Sequence, residues 1–179
     1  MRRRLVVGLI LAVLAWAAWR WTEHARAPRA PAAAAADSAS AGVKAARLFF
    51  ASADGDSLVS ETRDLAEAAT LHDKVAALVR ELDRGPTGGG VAVLPVGTSV
   101  RYVYLDEDGL LTLDLSGPFA QGFRGGASAE YLAVASLVRT LAANLPEVKR
   151  VLFACGGAPL ATLGGHVPLD RPLDVSDWP

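Results

Sequence analysis

Asp114 and Ser116, in the run Leu113-Asp-Leu-Ser-Gly-Pro-Phe119, and His166, after Gly164-Gly165, are the side chains here whose types and settings suit a ligand. A carboxylate and a hydroxyl two residues apart at a strand end offer acceptors and a donor on one face, and an imidazole in a glycine-rich loop is open to approach. The plainer use of Asp114 and Ser116 is to cap backbone amides where the strand gives way to a loop.

No reaction centre assembles from the rest of the sequence. The histidines His24, His72 and His166 show no ligand spacing, and neither HExxH nor a G-x-S-x-G elbow occurs. Thr87-Gly88-Gly89-Gly90 lacks the lysine of a phosphate loop and follows a helix, so it reads as a flexible connection. Asp54, Asp56 and Ser57 lack the rest of a calcium loop and read as a turn. Cys155 is the single cysteine, which excludes an intrachain disulfide and predicts a buried, inert thiol. Arg101, Arg139, Lys149 and Arg150 read as solvated positions. No catalytic residue, metal or cofactor is assigned. A net charge of −1 over 179 residues gives no electrostatic case for nucleic acid.

The elements that must position these groups begin after two accessory segments. Met1-Arg-Arg-Arg4 followed by uncharged Leu5 to Trp19 predicts a transmembrane anchor over residues 1–21, with Trp16, Trp19 and Trp21 at its interface. A cleaved signal peptide has the same opening. The basic amino terminus favours an inside location for that end, which places the remainder outside the cytoplasmic membrane as a single-pass protein. Residues 22–42 are Ala- and Pro-rich, with nothing large to bury, and form a linker.

The folded region is organised around a helix predicted from Ser128 to Leu145, with Ser128 at its start and Pro146 past its end. Val134, Leu137, Val138, Leu141 and Leu145 make its apolar stripe. A second helix opens at Thr70, with Asp73 three residues on as an acidic capping box, and carries Leu71, Val75, Leu78, Val79 and Leu82. Hairpins are predicted around Asp54-Gly55 and Asp108-Gly109, and strands over Val148 to Ala154 and Pro159 to Leu163. The order β-β-α-β-β-α-β-β implies an α+β fold, a mixed β-sheet with two helices packed on one face.

Several segments then stand in an order that resembles the GerMN domain, a module named after a spore-germination and sporulation protein. They are Arg47-Leu-Phe-Phe-Ala with Asp54-Gly-Asp-Ser-Leu-Val59, Ala76-Ala-Leu-Val with Arg84-Gly-Pro-Thr87, and Leu94-Pro-Val-Gly-Thr98. Leu113-Asp-Leu-Ser-Gly-Pro-Phe119, Gly126-Ala-Ser-Ala-Glu130, Val151-Leu-Phe and Leu163-Gly-Gly165 follow. The similarity covers residues 43–173 as one copy of the module and leaves 174–179 as a tail. It implies an anchored module outside the membrane, with no catalytic residue set, some relatives of which associate into envelope-spanning assemblies. The expectation is a non-catalytic, membrane-tethered binding or assembly module of the cell envelope, with a protein partner or self-association. The alternative is a peptidoglycan-binding or -modifying accessory.

Overall fold

The computed structural model describes residues 42–179; the predicted anchor and nearly all of the linker lie outside them. β1 (Val43–Ser52) and β2 (Leu58–Ala66) form a long antiparallel hairpin through Gly55, and β3 (Gly90–Val91) joins the far side of β1 at Ala51 and Ser52. β4 (Val100–Leu105) pairs antiparallel with β5 (Leu110–Leu115), which pairs in parallel with β6 (Arg150–Cys155). The short β7 (Ala158–Pro159) and β8 (Leu173–Asp174) lie antiparallel along β6. The α+β class holds, with the strands divided between a β2-β1-β3 sheet and a mixed β4-β5-β6-β7 sheet.

Among the described residues three α-helices complete the fold: α1 (Leu71–Arg84), the short α2 (Gly117–Gln121) and α3 (Ala127–Asn144). Thr70 caps α1 as expected, its hydroxyl accepting from the Asp73 amide, and Gly85 ends it with φ 82°. Val75, Leu78, Val79 and Leu82 are buried against β1 and β4. At the second hairpin Gly109 has φ 85°, and a Cβ there would stand 2.7 Å from the Glu147 carbonyl, so glycine is required twice over.

The whole predicted stripe of α3 is buried, but burial extends to Leu132, Ala133, Ala135, Ser136 and Thr140. This helix has β1 along one flank while its other side enters the core with Leu111, Leu113, Leu115, Val151 and Phe153. A central helix covered on more than one side needs apolar or paired residues all round, and one stripe does not describe it. Its start also differs: Gly126 occupies the N-cap without a side-chain hydrogen bond, and exposed Ser128 lies one residue inside the helix. The predicted strand Pro159 to Leu163 is reduced to β7: the Leu160 amide still donates to the Phe153 carbonyl of β6 at 3.0 Å, and the pairing goes no further.

Among the described residues, no helix is long and apolar enough to cross a membrane.

Candidate functional site

Asp114 lies near the end of β5, 8% exposed, with Oδ2 accepting from the Gly157 amide at 3.1 Å. Arg101 Nε stands 3.8 Å from the same oxygen, brought near by a register irregularity between Val100 and Tyr102. The other carboxylate oxygen, Oδ1, has no hydrogen-bond partner among the described residues.

Ser116 follows β5 and joins two strand ends. Its Oγ accepts from the Ser99 amide at 3.0 Å and donates to the Gly97 carbonyl at 3.2 Å, while its amide donates to the Ser99 carbonyl. The thiol of Cys155, half-buried rather than sealed in the core, lies 3.7 Å from the Ser116 carbonyl. The plainer role read from the sequence, holding backbone around a strand end, is the one these side chains perform.

His166 sits elsewhere, at the start of α3. Its amide donates to Glu130 Oε2 at 2.8 Å and its Nδ1 lies 3.0 Å from the same oxygen. No hydrogen bond joins it to Asp114 or Ser116 among the described residues. Its partner is what sequence reasoning missed. Glu130 is fully buried, and its Oε1 accepts from the Leu163 amide at 2.9 Å. Burial alone would raise its pKa, but the amides of Gly164, His166, Leu163 and Val167 outweigh that and hold it at about 2. A glutamate in the first turn of a helix reads as a partner of the helix dipole. The one further signal was Gly164-Gly165, a loop able to turn several amides toward one acceptor.

A second carboxylate works the same way. Glu61 on β2 accepts from the Thr87 hydroxyl and from the Thr87 and Gly88 amides, which fixes the glycine-rich segment after α1. The Arg63 side chain beside it at 2.8 Å, then the Thr87 hydroxyl, hold its pKa at about 2. Arg63 continues to Glu81 Oε2 at 2.9 Å and to the Gly85 carbonyl.

Arg139 departs from expectation. It is half-buried, its guanidinium 5.4 Å from the centre of the Phe49 ring and its Nη1 donating to the Trp178 carbonyl at 3.4 Å. Phe49 on β1 draws it in, a contact the sequence does not announce.

A groove of about 520 Å³ opens between the Ala51–Gly55 turn, the 91–95 segment, the loop carrying Phe123 and Arg124, and the first residues of α3. Val91, Val93, Leu94, Phe123 and Leu132 give it a mostly apolar lining. Among the described residues no group of three or more His, Cys, Asp or Glu side chains is placed to hold a metal.

Two sheets around a central helix, with carboxylates that tie down loops, define an α+β scaffold whose polar groups hold the fold itself. The family model described as sporulation and spore germination (Germane) matches residues 47–161, and the chain belongs to that family. The tandem GerMN domains of the sporulation protein GerM from Bacillus subtilis share the fold at TM-score 0.61 and 21% identity, covering 75% of this chain and 47% of that one. The chain thus spans about half the length of that tandem structure. The first GerMN domain alone aligns at TM-score 0.59 and 23% identity over 73% of this chain and 97% of its own. No curated protein matches the sequence.

Proposed function

We propose that the chain is a non-catalytic, membrane-tethered module that binds or assembles with protein partners, itself included, on the outer side of the cytoplasmic membrane. The observation that carries this reading is the fate of its carboxylates. Glu61, Glu81 and Glu130 each engage arginines or backbone amides of the same domain, and Asp114 does so through one of its two oxygens, so most of this chemistry is spent on holding a surface in shape. Family membership and the basic, tryptophan-flanked apolar start support the same reading. Fractionation with amino-terminal sequencing is expected to find the intact start in the membrane; a soluble chain beginning near Ala18 would remove the tether. In-cell crosslinking is expected to capture envelope proteins, and hydrolysis of peptidoglycan by the purified protein would replace this reading with an enzymatic one.

A second reading, a peptidoglycan-binding accessory, draws on Tyr102 and Tyr104. They are 58% and 55% exposed and two residues apart on β4, a spacing that puts both rings on one face. Aromatic faces of this kind present large, rigid, amphipathic contact area. Co-sedimentation with insoluble peptidoglycan, lost in Tyr102→Ala/Tyr104→Ala, would favour it.

A further inference from the structure

The outer edge of β2 is the longest unpaired strand edge of the β2-β1-β3 sheet, and its direction follows from hydrogen bonds on the opposite side of β1. Arg47 and Phe49 turn their amides and carbonyls toward α3: Arg47 meets both ends of the Asn144 side-chain amide, and Phe49 meets Thr140 and Ser136. Backbone groups of successive strand residues point to opposite edges, so Ala46, Leu48 and Phe50 face β2. Their register partners are Arg63, Glu61 and Val59. The backbone groups of Ser60, Thr62 and Asp64 therefore point away from β1. Among the described residues nothing bonds to them, and all three are exposed.

We infer that this edge pairs antiparallel with the β2 of a second copy, on a two-fold axis through Thr62. It rests on the assembly reading above and names one partner and one surface for it. The sequence of the strand complements itself about that point. Val59 falls opposite the partner's Leu65, Ser60 opposite the partner's Asp64, and Glu61 opposite the partner's Arg63. A hydroxyl meets a carboxylate and an anion meets a cation on both sides of the axis, with no like charges in register. The register is also compatible with the edge geometry, because the outward-facing residues Ser60, Thr62 and Asp64 face one another. Natural sheets guard long open edges with proline, bulges or inward-pointing charge. β2 has no proline, its pairing with β1 runs unbroken from Val43 to Ala51, and its inward charges, Glu61 and Arg63, already neutralise each other at 2.8 Å rather than leave a bare charge to repel a second strand. The opposite edge of the same sheet is guarded by three side chains of α3. A two-fold contact here would join two three-stranded sheets into one of six strands, with isologous symmetry.

The test is a cysteine scan of the full chain in whole cells, in a Cys155→Ala background, with a short membrane-permeant thiol crosslinker. Opposed residues of an outward-facing pair have Cα atoms about 5.5 Å apart, so Thr62→Cys is expected to trap a dimer efficiently. Ser60→Cys and Asp64→Cys each place the two thiols roughly 14 Å apart, at about 3.4 Å per residue, and are expected to trap several-fold less. Thr62→Pro removes only an outward amide, leaves the bonds of Glu61 and Arg63 to β1, and is expected to abolish the dimer in sedimentation while thermal unfolding is retained. Trapping that is equal at the three positions, or absent at Thr62, overturns the pairing. If other envelope proteins are still captured in that case, the assembly reading survives without it.

Discussion

Glu130 shows what one side chain is asked to do. It lies fully buried at the start of α3 and receives the amides of a loop more than thirty residues away, Leu163 at 2.9 Å and His166 at 2.8 Å. An amide in its place offers one acceptor oxygen and turns an NH2 group toward donors. Glu130→Gln is therefore expected to cost roughly 2–4 kcal/mol, since hydrogen bonds to a charged group contribute more than neutral ones and leave costly unpaired groups when broken. Chemical denaturation would measure it, and a loss under about 0.5 kcal/mol would mean that the loop is held by other contacts. The sign of the pH dependence follows from the depressed pKa. A carboxyl held at about 2 instead of 4.5 contributes stability that is present above pH 4.5 and lost as pH falls toward 2. Thermal melts are expected to drop steeply across that window and to flatten in part in Glu130→Gln. Glu61, lowered to the same value by the Arg63 side chain, contributes in the same window, and Asp54 and Asp174, lowered by hydrogen bonds from Ser52 and Ser176, add to it with the same sign. Distance along the chain decided what could be read beforehand. Thr70 and Asp73, or the turn at Asp108-Gly109, involve groups only a few residues apart and were legible. Glu130 acts across 33 residues to Leu163, and the contact exists only once the chain is folded.

At the scale of elements, α3 does two jobs, and only one was visible as a pattern. Its apolar stripe builds the core. Its Ser136, Thr140 and Asn144, four residues apart in turn, form a polar line that covers the edge of β1 as a strand would. The partners of Asn144 and Thr140 lie 97 and 91 residues away, so the spacing alone does not reveal the purpose. The two positions are expected to differ in cost. Thr140→Val leaves the Phe49 amide without a partner in a dry setting and is expected to cost about 1–3 kcal/mol; Asn144→Ala, where water reaches the freed groups, about 1 kcal/mol or less. Amide exchange at Phe49 would accelerate in the first and little in the second, and equal costs would mean that the edge is wet along its length. Arg139, on the same helix, adds a contact with Phe49 that a solvated arginine lacks. Arg139→Ala is accordingly expected to cost about 1 kcal/mol, a value appropriate to a cation held over an aromatic face.

At the scale of the whole molecule, both ends of the described chain are fastened to α3. β1, near the amino end, is tied by the polar line, and the carboxy-terminal residues return to the same helix from the other sheet. After Leu173 and Asp174 pair with Val151 and Arg150 on β6, a short 3-10 turn over Val175–Asp177 delivers Trp178. The indole is 9% exposed, stacks on Tyr131 with ring centres 5.0 Å apart, and its carbonyl accepts from Arg139. Residues 174–179 carry no periodicity and three of the last six are charged or proline, so the sequence sets them apart as a tail; a single tryptophan reverses that, because one large apolar side chain outweighs the polar composition around it. Trp178→Ala is expected to cost about 3–5 kcal/mol, in the range for emptying a buried aromatic site. Removing residues 174–179 should cost at least as much, because it also takes the β8 pairing. Denaturant midpoints at unchanged slope would show that the closure belongs to the same cooperative unit as the core. A loss below about 1 kcal/mol, or a separate early transition reported by tryptophan fluorescence, would show instead that the tail docks on an already complete domain. That fluorescence is read on residues 42–179 with Trp178 in place, where it is the single tryptophan; in the full chain Trp16, Trp19 and Trp21 contribute as well.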